Sequence, residues 1–296
     1  MSKFLHAKGP RMEIVSLVRT LEPIFWEHIN RDIPHYFFFA FDWKYNRDKT
    51  KILLNLEGSR IDGMMLIYDK RIVQLRGSRE TAQALLERLN LEKVELQAPK
   101  EHKQYILEKY EPTVSHELML MVLCKGEEKI QTKHPIVKLD TSDAEQIVAI
   151  MKKADPEFWG EVTVDEIVAR MGNENWVGIK VNGELVSVGR SRFTNWVGHV
   201  ITVATHEAHR NRGYATSIVS NLVKLLLGRM STAIIYVLGD NPPAIRVYEK
   251  IGFKPYRTYF FMRGERLEKK PRYARVLTFF NLWLCGGQNR LKQSLS

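Results

Sequence analysis

The stretch His209-Arg210-Asn211-Arg212-Gly213-Tyr214-Ala215-Thr216 separates two runs of different periodicity. Residues 200–205 before it are β-branched almost throughout and have the length of a buried strand. After it, apolar residues recur at three- and four-residue spacing, as on a helix with one buried face. The stretch is therefore predicted to be a turn from a strand into a helix N-terminus. Free N–H groups and the helix dipole make such a turn suited to a phosphate.

The elements predicted after this turn decide between two interpretations of it. Residues 231–238 read as a second buried strand, and residues 244–251 as a helix started by Asn241 and stopped by Gly252. Residues 253–262 read as a strand rich in Tyr and Phe. By itself, the turn is equally well a solvated basic turn that caps a helix. The order of strand, turn, helix, strand, helix and strand favours the phosphate site.

Two segments resemble motifs of the GNAT superfamily of acyl-CoA-dependent N-acyltransferases. They are Arg210-Asn211-Arg212-Gly213-Tyr214-Ala215 and the run NPPAIRVYEKIGF at 241–253. The resemblance covers residues 135–263, which is under half of the chain. It implies an α/β fold with a mixed, mostly antiparallel sheet flanked by helices. It also implies that acetyl-CoA is the co-substrate and that no metal takes part. The implied reaction is transfer of the acetyl group to a primary amine by direct attack in a ternary complex.

The same resemblance implies roles for individual residues. The turn holds the pyrophosphate of coenzyme A, the preceding strand splays at a bulge and pairs with the pantetheine arm, and Asn241 contacts that arm. The predicted cofactor-binding residues are Val203, Ala204, Thr205, Arg210, Asn211, Arg212, Gly213, Tyr214, Ala215, Thr216 and Asn241. The Val203 amide is expected to stabilise the oxyanion, and Tyr248 to protonate the leaving thiolate. A plain core position is the competing interpretation of Tyr248.

The reaction needs a neutral amine, so some group must accept a proton. His199 occupies the position where some members of the superfamily have a glutamate base, and histidine titrates near neutrality. We therefore expect catalysis by Tyr248 with His199 or a water-linked group. A strand histidine bonded to a neighbouring carbonyl is the favoured alternative for His199.

Length and composition limit the class of protein. The 296 residues, with two cysteines and no zinc-ligand spacing, predict two globular domains in a reducing cytoplasm. No signal-like core is present in residues 1–11, and the apolar run 276–287 is shorter than the roughly 20 residues that span a bilayer. The net charge is +11, but residues 264–296 hold seven Lys and Arg against two Glu. This concentration favours a basic tail and argues against a broad nucleic-acid face.

The N-terminal half repeats the same order of predicted elements, which indicates a degenerate second copy of the fold. Its turn, Leu75-Arg76-Gly77-Ser78-Arg79-Glu80, is too short for the phosphate pattern. Gly77 and Arg79 could bind an anion, but a tight turn before a helix cap is favoured. Residues 12–30 are predicted to form two helical pieces. The expected organisation is a degenerate domain at 1–125, a linker at 126–135, the catalytic domain at 136–263 and a basic, aromatic tail at 264–296.

Several functional questions stay open at this level. The acidic, aromatic loop 155–161 could hold a cationic amine, although solvated carboxylates are the favoured interpretation. The tail is expected to pack on its own protein or to mediate a homodimer, with a membrane surface as the alternative. The acceptor amine is a small molecule or a protein. The alternatives to the transferase are a non-catalytic CoA-binding regulatory module and an RNA-linked aminoacyl transferase with a tandem fold of this kind.

Overall fold

A computed structural model describes residues 12–268. The strands are β1 (Met12–Ser16), β2 (Thr50–Glu57), β3 (Arg60–Tyr68), β4 (Ile72–Gly77), β5 (Lys93–Pro99), β6 (Tyr110–Cys124), β7 (Val137–Lys138), β8 (Asn175–Val181), β9 (Glu184–Phe193), β10 (Gly198–Thr205), β11 (Thr232–Leu238) and β12 (Lys254–Arg266). The helices are α1 (Glu22–Ile29), α2 (Phe37–Tyr45), α3 (Arg79–Arg88), α4 (Lys103–Leu107), α5 (Ala144–Ala154), α6 (Pro156–Trp159), α7 (Val164–Met171), α8 (Tyr214–Leu227) and α9 (Pro242–Ile251). The predicted tail beyond residue 268 and Cys285 lie outside the described residues.

All the described strands belong to one mixed sheet of 12 strands in the order β1-β2-β3-β4-β5-β12-β6-β11-β10-β9-β8-β7. The pairs β4–β5 and β10–β11 are parallel, and the other neighbours are antiparallel. The predicted mixed, mostly antiparallel sheet flanked by helices is confirmed. The two predicted copies are fused, because β12 lies between β5 and β6, and β6 lies between β12 and β11.

Local turn and cap chemistry forms several of the elements. The hairpin between β8 and β9 turns at Asn182 and Gly183, whose φ angles of 53° and 86° suit a two-residue turn. Helix α7 starts with a capping box in which Glu166 N donates to Thr163 Oγ1 at 3.2 Å. Helix α3 starts at Ser78, whose side chain accepts a bond from Thr81 N.

The prediction of two helical pieces in residues 12–30 is wrong for the first piece. Met12–Ser16 is an edge strand that pairs antiparallel with β2, and the helix in this region is confined to Glu22–Ile29. Pro23 stands in the first turn of that helix, where its missing N–H is tolerated. Pairing with the open edge of β2 therefore outweighs the helical spacing of the apolar residues, which extends over too few positions to determine the structure.

Helices cover both faces of the sheet. Tyr259 of β12 packs with Phe37 of α2, whereas the next residue, Phe260, joins the core under α3. Because successive side chains of a strand point to opposite faces, α2 and α3 lie on opposite sides of the sheet. In the C-terminal half, α8 packs on a core that contains Val200, while α5 and α7 pack on a separate core that contains Ala204.

The segment predicted as a linker, residues 126–135, packs along α8. Gln131 N donates to Ser220 Oγ at 3.0 Å, and Lys133 N donates to Ser217 Oγ at 3.1 Å. Both serine side chains are fully buried. The segment thus supplies hydrogen-bond donors to a helix surface. Within residues 12–268, no helix is long and apolar enough to cross a membrane.

Candidate functional site

Strands β10 and β11 separate to form a crevice in the sheet. They pair at Gly198–Val200 with Ala233–Ile235 and at no later residues. The register of β10 on β9 shifts between Val200 and Thr202, which marks a bulge at Ile201. No hydrogen bond between described residues joins the two strands beyond Val200. The split at a bulge has the form that the resemblance implied.

The backbone of β10 beyond the bulge is directed alternately to β9 and to the crevice. His206 N donates to Val186 O at 2.9 Å, which sets the phase of the antiparallel ladder. Backbone groups alternate in such a ladder, so those of Ala204 face β9 and those of Val203 and Thr205 face the crevice. The Ala204 side chain is buried in the core under α5. Val203 and Thr205 are therefore the residues that can pair with an extended ligand.

The crevice leads to the N-terminus of α8, where the backbone leaves room for an anion. Asn211 and Gly213 have φ angles of 62° and 81°. A Cβ added to Gly213 would meet only His134 Nε2, at 3.6 Å. The first N–H groups of the 14-residue helix have no intrahelical acceptor. With the exposed Arg210 and Arg212 beside them, these groups fit a pyrophosphate.

Tyr214 contributes to this turn through packing and its backbone. Its ring lies 4.6 Å from that of His134 and 6.3 Å from that of His209. His134 Nε2 is also 2.9 Å from Arg212 O, so the 126–135 segment holds the turn in place. The sequence carries no signal for this role of His134, because the residue is distant along the chain and its neighbours are polar.

Tyr248 lies in α9, which follows β11, and Asn241 caps the start of this helix. Tyr248 is 7% exposed in the core that it shares with α8. Burial raises the pKa of its phenol, so Tyr248 stays protonated at neutral pH. Asn241 Oδ1 accepts a bond from Ala244 N at 3.2 Å and caps α9, as predicted. The cap occupies one oxygen of the Asn241 side chain and leaves its amide donors.

His199 lies on the opposite face of the sheet from Tyr248. Its ring packs against Phe37 at 4.8 Å and Tyr236 at 6.0 Å. Burial, together with Arg192 and Arg190, lowers its pKa well below 6.5. Among the described residues, the His199 side chain makes no hydrogen bond to a carbonyl. The imidazole is neutral near pH 7 and is a weak base.

Sequence reasoning missed a buried ion pair beside His199. Arg190 Nη1 lies 2.9 Å from Glu174 Oε2, Arg192 also pairs with Glu174, and Arg190 Nε donates to Thr202 Oγ1 at 2.9 Å. Burial lowers the pKa of Arg190 to about 10. Glu174 precedes β8, the two arginines lie on β9 and Thr202 lies on β10, so no local spacing could have indicated this cluster. Nor did the sequence single out Tyr236, whose buried Oη has no hydrogen-bond partner.

The predicted acidic loop 155–161 contains α6 and reaches strands of the N-terminal half. Glu157 Oε1 lies 3.2 Å from His116 Nε2, and His116 Nδ1 lies 3.5 Å from Asp240 Oδ2 at the end of β11. Arg263 lies over the ring of Phe158 at 5.2 Å. The loop therefore spans from α5 to β6 and β12 near the crevice. Within residues 12–268, no group of three or more His, Cys, Asp or Glu could hold a metal ion.

Comparison with known proteins covers both halves of the chain. Residues 144–253 match the model of the Acetyltransferase (GNAT) family. A protein of Yersinia pestis (strain Pestoides F) named acetyltransferase is 27% identical over 128 residues, which are 42% of this chain and 89% of that protein. A Drosophila protein of known structure superposes with a TM-score of 0.63 at 11% identity, over 84% of this chain and 98% of that one. A tandem GNAT protein from the clavulanic acid biosynthesis pathway superposes with a TM-score of 0.52 at 12% identity, over 88% of this chain and all of that one.

The match to the GNAT family and the relatives named acetyltransferase define the class of protein as an acyltransferase, and the split between β10 and β11 is in keeping with this class. Residues 144–253 are the part of the chain that matches the GNAT family, and the named relatives support the GNAT superfamily for this part. The likeness to solved structures extends over both halves and shows the fold, in which tandem GNAT proteins are represented. The predicted superfamily, fold class and enzyme class are confirmed.

Proposed function

We propose that the chain transfers an acetyl group from acetyl-CoA to a primary amine by direct attack in a ternary complex. The observation that carries this proposal is that β10, which separates from β11 after Val200, leads through one turn into the open N-terminus of α8. An extended backbone edge and an anion site at its end match the pantetheine arm and the pyrophosphate of one ligand.

Different residues of the crevice bind different parts of this ligand. Val203 and Thr205 offer backbone groups to the arm, and the first turn of α8 with Arg210, Arg212 and Thr216 holds the phosphates. Ala204 fixes the strand by its buried side chain, and the Asn241 amide faces solvent at the start of α9. The thioester supplies an activated acyl carbon, and the Val203 N–H stabilises negative charge that develops on the acyl oxygen.

We assign the two proton transfers of the reaction to groups on opposite faces of the sheet. The amine approaches on the face of α2 and α5, where His199 or a water linked to it accepts a proton. Tyr248, on the face of α8, gives its proton to the departing thiolate, and its raised pKa keeps that proton available. Neither Cys124, which is exposed, nor a covalent acyl-enzyme is needed.

The proposal also covers the roles of the two halves of the chain, the cellular location and the acceptor. Residues 136–263 form the catalytic unit and residues 1–125 the second copy, which presents Phe37 of α2 to the reaction side. A reducing cytoplasm is the proposed location, because the sequence holds only two cysteines. The acceptor, a small molecule or a protein, approaches on the face of the sheet that α2 and α5 cover.

Calorimetry with acetyl-CoA tests the proposal most directly. Gly213→Glu places bulk and negative charge in the anion site and should abolish binding. Gly213→Ala is the matched control: it strains the same positive φ, by about 1 kcal/mol, but adds one methyl in open space. We expect Gly213→Ala to keep affinity within a few-fold. Absent binding by the wild type would overturn the proposal.

A panel of amines, assayed by release of free thiol, then separates the three functions. Turnover with any amine supports the transferase. Acetyl-CoA binding without turnover over the whole panel would identify a CoA-binding regulatory module. Steeply salt-dependent binding of charged tRNA, with no acetyl-CoA binding, would identify the RNA-linked function instead.

A further inference from the structure

The N-terminal half contains a second pair of parallel strands that separate. Strand β4 pairs with β5 only at Ile72–Gln74 with Glu95–Gln97, and β4 then turns into the N-terminus of α3. This is the arrangement of β10, β11 and α8. The two halves therefore each hold a split in the sheet that leads to a helix N-terminus.

The split between β4 and β5 is closed by a side chain. The Arg76 guanidinium is fully buried and donates to Leu75 O at 2.8 Å and to Gln97 O at 3.4 Å. It also donates to the side-chain oxygens of Gln74 and Gln97. These bonds satisfy carbonyls that strand pairing leaves free, and they join the strands where the other half is open. An extended ligand arm has no room there.

The helix N-terminus outside this closed split remains accessible. A cavity of about 290 Å³ is lined by Gly77, Ser78, Arg79, Glu101, His102, Gln104 and Tyr105. Gly77 has a φ of 134°, and a Cβ there would lie 2.8 Å from Gly63 Cα, so only glycine fits the turn. The helix has 10 residues, and the N–H groups of its first turn have no intrahelical acceptor. Thr81 N is capped by Ser78, which leaves those of Arg79 and Glu80.

The wall of the cavity carries polar atoms that the protein does not satisfy. His102 is 1% exposed and its Nδ1 has no hydrogen-bond partner, while its Nε2 lies 3.1 Å from Gly77 O. The Tyr105 Oη is also buried and unpartnered, and Arg79 lies over the Tyr105 ring at 4.9 Å. Buried polar atoms without a protein partner are uncommon in folded proteins, and such atoms bond to water or to a bound group. Glu101 is exposed, so water screens its charge.

We propose that this cavity binds a small phosphate-bearing anion, held by the first turn of α3, Arg79, His102 and Tyr105. The volume of about 290 Å³ lies just below the range of about 300–1,000 Å³ for small-molecule pockets, so the site suits phosphate or pyrophosphate rather than a nucleotide. The N-terminal half thus keeps the anion part of a cofactor site and has lost the part that holds the arm.

The test is a calorimetric titration of the full chain with inorganic pyrophosphate. Every protein in this test carries Gly213→Glu, which removes the anion site at α8. Either Arg79→Ala or Arg88→Ala is then added to this background. Arg88 stands in the last turn of α3, so its replacement changes the same charge at the other end of the helix. We expect one pyrophosphate per chain in the background, at least a tenfold loss of affinity with Arg79→Ala, and no change with Arg88→Ala.

A second readout follows the His102 ring by nitrogen-15 NMR during the same titration. The ring signals should shift with the calorimetric affinity, and they should not shift in the Arg79→Ala variant. Binding that disappears with Gly213→Glu alone, or that weakens equally in both arginine variants, would overturn the proposal. ADP that binds more tightly than pyrophosphate would overturn the size argument. Acetyl-CoA binding by the wild type is measured separately, so failure of the transferase proposal is distinguishable.

Discussion

Tyr248 and His199 lie on opposite faces of the sheet at the crevice, and their environments shift their pKa values in opposite directions. The Tyr248 phenol is protonated at neutral pH, so it carries the proton that the proposed mechanism gives to the thiolate. Tyr248→Phe should lower kcat by roughly a hundredfold or more, the range of general acid catalysis, and leave acetyl-CoA affinity unchanged. Steady-state kinetics with parallel calorimetry measures both quantities, and equal kcat would remove Tyr248 from the mechanism.

The His199 environment fixes where its titration would appear in the kinetics. A base acts when deprotonated, so the rate falls as pH drops through its pKa, and here that limb lies below pH 6.5. His199→Gln should abolish this limb of the kcat profile if His199 is the base. An identical profile in the variant would assign the proton transfer to water alone.

The pH dependence of the unfolding free energy tests whether burial lowers the pKa of His35. Burial and Arg76 lower its pKa to about 3, so the folded protein keeps it neutral while the unfolded chain protonates near pH 6.5. Its contribution to stability is therefore present above pH 6.5 and is lost as pH falls toward 3. The difference in unfolding free energy between wild type and His35→Gln should shrink by up to about 1.4 kcal/mol per pH unit. Denaturation at several pH values measures it, and a constant difference would contradict the lowered pKa.

At the level of elements, the buried carboxylate of Glu174 joins the start of β8 to β9 through Arg190 and Arg192. Glu174→Gln leaves these cations without a counter-charge and should destabilise the fold by about 3–5 kcal/mol. The exposed Glu184→Gln, at the start of β9, should stay within about 0.5 kcal/mol. Urea denaturation compares them, and equal midpoints would show that the pair has no net structural role.

Elements set by local chemistry were predictable from the sequence, and those set by distant pairing were not. The Asn182-Gly183 turn, the Thr163 capping box and the strand-to-helix turn at Gly213 depend on residues within a few positions of one another. The strand at Met12–Ser16 exists because β2 offers it an edge. The same contrast holds in the site: the anion-binding turn is visible as a motif, whereas the Glu174 ion pair and the contact of Phe37 with His199 arise only in the folded sheet.

For the whole molecule, the sequence predicted two copies of a fold but not their fusion through β6 and β12. Residues 1–125 alone lack β12 and should not form a cooperative monomer. Residues 126–296 alone lack β6, and β11 would have an open edge. We expect each fragment to be unfolded or aggregated by circular dichroism and size exclusion, and the two to restore acetyl-CoA binding when expressed together. Cooperative unfolding of either fragment alone would contradict this dependence.

The position of β12 also has a consequence for synthesis of the protein. A ribosome makes β5 and β6 more than a hundred residues before the strand that must be placed between them, since β12 spans 254–266. The edges of β5 and β6 that pair with β12 therefore stay unpaired until nearly the whole described chain has emerged. Such late, long-range pairing slows folding and exposes strand edges in the meantime. Chaperone demand in the nascent chain should accordingly persist until β12 clears the exit tunnel.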